Sequence, residues 1–420
     1  MHNFFNIFKI PDLRKRILFI LFVLVIYRIG SYIPISGIDI NQLNNLFNTS
    51  GFLGFVDLFS GGALSRFSIF ALGILPYINA SIIMHLMAIV WPKLKELAEE
   101  GEAGRKKIAQ YTRYLTVIIA FVQGFVMSLS FRSFILPDVS VLWFVSYSIV
   151  GLVAGATFVM WLGELVTIYG IGNGASLLIF IGIIARMPFY IKNTAQLLVG
   201  GVSWMGVVIM ILVLLGIIVS IVYIQEAIRK IPIQYAKRIV GRRMMGGQNT
   251  FIPLRLIQGG VLPIIFASAI LQFPLMFSQY INLNFVQNFF AVYYRYDGFL
   301  YNFLFCFLIF FFTYFYTAIT FNPKELADNI KKYGGFILGV RPGRPTVEYL
   351  EKIISKLTLI GASFLAFIAL VPIVAANVTK VNSFMGLGGT ALLIIVGVAM
   401  DLVKQIEAYL INRRYEGLIE

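Results

Sequence analysis

The run from Gly54 to Trp91 reads GFVDLFSGGALSRFSIFALGILPYINASIIMHLMAIVW. Its second half is apolar enough to cross a bilayer, whereas in its first half Asp57 and Arg66 bracket the pair Gly61-Gly62. Such a charged, glycine-broken run does not read as an ordinary span. It reads as a segment that enters the membrane without crossing it. Irregular backbone at membrane depth persists only where protein buries it or a water-filled cavity receives its polar groups. The run therefore predicts a cavity inside a helical bundle.

The rest of the chain supplies the bundle. Of 420 residues, 59% are hydrophobic and 13% charged, and mean hydropathy is +0.86; a globular domain carries about 25% charged residues. Apolar runs long enough to span, roughly 20 residues each, recur about ten times, near 17–35, 69–91, 112–131, 142–166, 174–188, 204–225, 259–281, 300–320, 355–376 and 386–404. The expected fold is an all-α polytopic membrane protein with no separate soluble domain. The first run follows Arg14, Lys15 and Arg16 as a secretory signal would, but its length and the interrupting Arg28 make it a retained first span. Placed on the loops between these spans, 27 of the 34 Lys and Arg fall on one side of the membrane. By the positive-inside rule that side is cytoplasmic and holds both termini. Arg28 is expected to snorkel to the outer headgroups.

Two of the basic loops stand apart. In residues 226–257, Ile231, Ile233 and Tyr235 alternate with other residues, and glycines separate them from Phe251 and Leu254, which suggests a β-hairpin-like protrusion. Its tip carries Lys237, Arg238, Arg242 and Arg243 with no nearby acid. In residues 321–354, Arg341-Pro342-Gly343-Arg344-Pro345 sets two arginines on a turn that proline stiffens and glycine permits. Basic loops beside membranes serve topology; two that project from one face also suit a large anionic partner. Other features read plainly. Gly170-Ile171-Gly172-Asn173-Gly174 lacks the preceding strand and following Lys-Ser/Thr of a phosphate loop and is a turn between helices. Phe4, Phe5, Ile7, Phe8 and Lys9 form either a surface-lying segment or a frayed terminus. The spacing from Gly62 to Pro76 equals that from Gly260 to Pro274, which is either chance or the mark of an inverted repeat.

Catalytic chemistry lacks its parts. His2 and His85 are the only histidines and Cys306 the only cysteine, so metal sites, hydrolytic triads and disulfides are not expected, and no cofactor is implied. Glu164 and Asp401 lie near span ends, without the paired mid-depth charges of an ion pump. Ile74 and Ile78 project from one helical face. They either pack in the bundle or form a hydrophobic constriction, which excludes water and ions and offers no sticking point to a polar chain. Three function classes follow: a passive channel for an unspecific, bulky substrate, a secondary transporter for a small solute, and an intramembrane enzyme. The absence of mid-depth charges counts against the second and the absence of a catalytic constellation against the third.

Collinear motifs over nearly the whole chain now join these readings: RIGSYIPISGID, FSGGALSRFSIFALGILPYINASII, EGEAGRKKIAQYTRY, MWLGELVTIYGIGNGAS, QYAKR with GRR, IFAS, FYTAITFNPKELADNIKK and VRPG. In these the chain resembles the SecY/Sec61α family, the central channel subunits of the Sec protein translocase. The resemblance implies two pseudo-symmetric inverted halves, residues 1–190 and 191–420, around a pore in the bacterial cytoplasmic membrane. It implies a plug helix made of Phe55, Val56, Asp57, Leu58, Phe59, Ser60, Gly61, Gly62, Ala63 and Leu64. It implies a pore ring of Ile74, Ile78, Ile179, Ile265 and Ile394, with Ala175 standing where an isoleucine is common. It implies a lateral gate toward lipid, with polar side chains Asn79, Ser81, Gln123 and Gln272, through which signal sequences and transmembrane segments of nascent polypeptides leave. Docking of the SecA ATPase and the ribosome would fall on Lys237, Arg238, Arg242, Arg243, Arg341 and Arg344, and SecE and SecG would be companion subunits.

Overall fold

A computed structural model describes residues 10–49, 57, 59–199, 203–235, 238–240, 243–245, 249–278, 289–290, 294, 298–379, 381 and 388–416. The calls on Phe4, Phe5, Ile7, Phe8 and Lys9, on Phe55, Val56 and Leu58, and on Lys237 and Arg242 lie outside these residues. Each of the ten expected spans falls on one helix: α1 (Pro11–Gly30), α3 (Leu75–Val90), α5 (Glu102–Ser130), α6 (Val141–Tyr169), α7 (Gly174–Val199), α8 (Trp204–Glu226), α9 (Leu262–Ser278), α10 (Phe299–Thr320), α12 (Arg344–Thr379) and α13 (Gly389–Glu416). By length and composition alone, seven helical segments among the described residues are long and apolar enough to cross, or eight if the bent pair at Pro92 counts as one span. Helix α1 carries Arg14, Lys15, Arg16 and Arg28 near its ends, and α9 is 17 residues long.

Shorter helices sit between the spans: α2 (Ile40–Thr49), α4 (Pro92–Glu99) and α11 (Pro323–Lys332). Proline places helix starts here, because its fixed φ suits the first turn and its missing N–H would be unpaired there anyway. It lies at the first or second position of α1, α3, α4 and α11. At Pro92 the chain turns by 105° between α3 and α4. Hydroxyls inside the spans donate to carbonyls one turn back, as at Thr112, Thr116, Ser128, Thr313 and Thr317, so these five need no outside partner.

Outside the mostly helical bundle stands the β-hairpin-like protrusion that the alternation in residues 226–257 implied. Strands β1 (Ile228–Tyr235), β4 (Asn249–Arg255) and β5 (Gly335–Ile337) form an antiparallel sheet in the order β4-β1-β5. β2 (Arg238–Val240) pairs with β3 (Arg243–Met245) beyond it. The alternation in β1 has the expected consequence: Ile231 and Ile233 are buried, with Leu254, Ile337, Leu350 and Ile354 in a small satellite core. The third strand comes from the second basic loop, so one sheet ties the two loops together.

The two chain halves meet where α3 and α5 pack on α9, and again where α7 packs on α13. A continuous apolar core runs through both halves, and a second one, built from α2, α5, α6 and the segment 64–72, caps the end opposite the sheet.

Candidate functional site: an apolar core and the buried segment before α3

The opening stretch divides at Leu75. Helix α3 starts there, later than the expected start at residue 69, and residues 60–74 before it are turns and one isolated bridge. Nearly all of this irregular backbone is buried, as its depth requires. It is pinned to the segment after α1 by Ile35 N–H donating to Phe67 O (2.9 Å) and Ile69 N–H donating to Ile33 O (3.1 Å). Phe67, at φ 47°, is the one non-glycine among the described residues with positive φ; it is fully buried and rings of Phe131 and Phe144 pack on it.

The two expected repeat markers are not equivalent in space. Pro76 stands in the first turn of α3, whereas Pro274 lies deep inside α9. A different match is present. Gly73-Ile74-Leu75-Pro76-Tyr77-Ile78 and Gly260-Val261-Leu262-Pro263-Ile264-Ile265 each open a helix at the leucine. The glycines have φ of 55° and 57°, and Ile78 and Ile265 donate N–H to the carbonyls of Ile74 and Val261. The left-handed glycine turns the chain sharply into each helix, a conformation costly for any residue with a Cβ.

Ile74, Ile78, Ile179, Ile265 and Ile394 are all buried and belong to one apolar core, and Ala175 packs on its edge. Phe59 and Ala63, from the stretch expected to form the plug, are in that same core. Its centre offers side chains that are aliphatic or aromatic, so water and ions find no partner there. Ile74 also reaches toward α6: a Cβ on Gly163 would stand 3.2 Å from its Cδ1.

The segment from Asp57 to Ser65 is held by polar contacts that the sequence reading did not foresee. Asp57 is fully buried and forms an ion pair with Arg186 of α7. Its Oδ1 also accepts from Ser65 N–H (2.9 Å) and Ser60 Oγ (3.0 Å). Arg186 Nη2 donates to Ser65 Oγ at 3.1 Å. Tyr27 OH donates to Ser60 O (3.3 Å) and Arg28 Nη1 to Gly61 O (3.0 Å). The expected snorkelling of Arg28 is thereby corrected, because its guanidinium turns to the plug segment and to Tyr32 OH (3.0 Å). Arg66, the cation nearest to Asp57 in sequence, lies over the Tyr32 ring instead. Below the ion pair the two backbones nearly touch: a Cβ on Gly182 would stand 3.1 Å from Phe59 O, and one on Gly61 3.0 Å from Gly182 Cα. The available signal was a lone carboxylate and a lone cation in separate apolar surroundings, each needing a partner.

Of the lateral polar set, Asn79 on α3 and Gln123 on α5 are buried, and Ser81 lies 3.3 Å from Nδ1 of His85 on its own helix. Gln272 is on α9, with its side chain outside the described set. These are the helices through which the halves meet. At the other end Arg341 is exposed, Gly343 takes φ 105°, and Thr346 Oγ1 donates to Arg341 O (2.9 Å), closing the turn. Arg344 is exposed and pairs with Glu348 at 3.4 Å. Arg238 and Arg243 lie on β2 and β3. Glu164 pairs with Arg113 at 2.7 Å, joining α6 to α5, and Asn173 Oδ1 accepts the N–H groups of Ala175 and Ser176 at the start of α7, making the glycine run a helix-capping turn. No cluster of potential metal ligands occurs among the described residues.

The SecY family model matches residues 68–403. The chain belongs to the SecY family. It is 46% identical to the protein translocase subunit SecY of Thermotoga maritima, over 99% of this chain and 97% of that one. It is 44% identical to SecY of Streptomyces coelicolor, over 99% of both chains. Among solved structures it resembles a SecY described as having a plug domain that stabilises the closed state and maintains a membrane seal (TM-score 0.65, 19% identity, 94% of this chain and 92% of that chain). It also resembles Sec61 in a canine ribosome-channel complex (TM-score 0.61, 18% identity, 94% and 92%). As a member of the SecY family the chain is a multi-span membrane subunit of a protein translocase, a protein-conducting channel and not an enzyme. The solute-transporter alternative is set aside.

Proposed function

We propose that this chain forms the central pore through which unfolded secretory polypeptides cross a bacterial cytoplasmic membrane, and from which transmembrane segments pass sideways into lipid. The observation that carries this reading is the shared core of the five isoleucines with Phe59 and Ala63: a constriction and a removable stopper in contact. The stopper runs from Phe55 to Leu64, and the ring is Ile74, Ile78, Ile179, Ile265 and Ile394. Residues 1–190 and 191–420 are inverted halves, which the paired Gly-x-Leu-Pro helix starts support. The lateral exit is the seam of α3 and α5 against α9, with Asn79, Ser81, Gln123 and Gln272 tuning its closed state.

The charge distribution supports both termini in the cytoplasm. There the shared sheet holds the two basic loops as one platform, on which Lys237, Arg238, Arg242, Arg243, Arg341 and Arg344 meet the SecA ATPase or the phosphates of a ribosome. SecE would clamp the halves and SecG would complete the complex. The test is site-specific crosslinking of a stalled secretory chain to Ile78, Ile179 and Ile265. Adducts there are expected, and adducts only elsewhere would move the pore. Deleting Phe55 to Leu64 should raise ion leak in planar bilayers. Arg341→Glu should weaken motor-driven translocation at limiting motor concentration while membrane insertion of the channel stays normal.

A further inference from the structure

We propose that Arg186 is the residue that positions the plug in its closed seat, acting as an ionic latch on Asp57. This rests on the reading of 55–64 as a plug and names what holds it.

Arg186 engages both limbs of the turn that the plug segment makes between Asp57 and Ser65. Its guanidinium pairs with Asp57 on one limb and donates to Ser65 Oγ (3.1 Å) on the other. Gly62 sits between them at φ 88°, and a Cβ there would come within 3.2 Å of Arg186 Nε. The absent side chain lets the guanidinium cross the turn. Phe189, one turn along α7, lies 4.9 Å from the guanidinium and closes its other side. Arg28 from α1 adds a second donor to the same turn at Gly61 O.

The chemistry suits a latch more than a permanent brace. A buried ion pair contributes little net stability against an apolar replacement, yet losing one partner strands a charge in low dielectric. The pair therefore selects one seated arrangement without making it a deep trap. When the plug leaves, a water-filled pore solvates both charges together. Arg186 is one turn beyond Gly182, whose backbone meets Phe59 and Gly61, so the latch and the close backbone contact act on the same short stretch.

The experiment measures resting ion leak of the complete channel complex in planar bilayers for Arg186→Gln, Asp57→Asn, the exchange Asp57→Arg with Arg186→Asp, and the plug deletion. In parallel, Ala63→Cys in a Cys306→Ala background reports how fast a water-soluble thiol reagent reaches the plug; Ala63 is fully buried in the closed seat. Each neutral variant should leak several-fold more than the parent and raise the Ala63→Cys modification rate about a thousandfold, the effect of about 4 kcal/mol on a closed–open equilibrium. The exchange should recover part of the seal, which a merely structural role would not produce. If the neutral variants leave both readouts unchanged while the plug deletion leaks, the latch is wrong and the plug stands. If the plug deletion does not leak either, the plug reading fails first. Should the neutral variants not accumulate in membranes, Arg186→Lys carries the test. Its single ammonium cannot serve Asp57 and Ser65 as a fork does, so an intermediate leak is expected and a parental leak overturns the proposal.

Discussion

Two carboxylate–guanidinium pairs stand at opposite ends of this channel. Asp57–Arg186 is enclosed, with side chains 0% and 15% exposed, and joins residues far apart in sequence. Arg344–Glu348 is one helical turn long, with side chains 91% and 67% exposed. The groups are the same and the consequences differ. In water the charges of Arg344 and Glu348 are already well solvated, so their contact changes little and the arginine stays available to a partner. Around Asp57 and Arg186 little water is at hand, so each charge depends on the other.

Substitutions can break or sharpen that contrast. The largest effect should come from Asp57→Asn, which leaves Arg186 buried without its counter-charge and should lower the local opening free energy of residues 59–65 by about 3–5 kcal/mol, read by amide hydrogen exchange. Gly182→Ala should follow, since its methyl would press on the Phe59 carbonyl at 3.1 Å and Gly61 N at 3.3 Å. A cost of about 1–3 kcal/mol is expected for such overpacking, visible in the same exchange experiment and as a raised leak. Arg113→Gln removes a bond of 2.7 Å between α5 and α6 that is partly exposed on the arginine side. It should cost about 1 kcal/mol or less, read as a small drop in thermal midpoint. Glu348→Gln should fall within about 0.5 kcal/mol of the parent. An effect of Glu348→Gln as large as that of Asp57→Asn would mean that burial is not what separates the two pairs.

A second contrast lies between the entries to α3 and α9. Both start at the leucine of Gly-x-Leu-Pro after a left-handed glycine, but α3 is preceded by the largely buried irregular chain of residues 60–74 and α9 follows the strand β4 within a few residues. The shared part is a helix start with a buried apolar residue on its first turn. The inserted part is what the entry to α3 carries in addition, a buried irregular segment.

The equal spacings from Gly62 to Pro76 and from Gly260 to Pro274 pointed to a repeat through the wrong residues. Proline has one meaning in a first turn and another in mid-helix, and a count between residues does not distinguish them. The motif that has the same local backbone at both helix starts was present in the sequence as GILPYI and GVLPII.

The bundle was legible because apolar runs of membrane length, proline at helix starts and glycine at turns act locally; every expected span has its helix. The alternation in β1 was legible for the same reason, since a period of two residues puts Ile231 and Ile233 on one face. β5 was not, because three residues of strand carry no pattern, and only pairing with β1 makes them a strand.

By itself the sequence determined that this chain lives in a membrane, where its helices begin and turn, that a charged glycine-broken segment must be enclosed, and, through its collinear motifs, the family to which it belongs. Only the tertiary structure decided which cation answers Asp57. Arg66 is nearer along the chain, yet it stacks on Tyr32, and Arg186 takes the carboxylate from a helix more than a hundred residues away. The physical reason is that a buried charge is satisfied by proximity in space, which α7 supplies by packing its glycine against the turn, and no local periodicity records that approach.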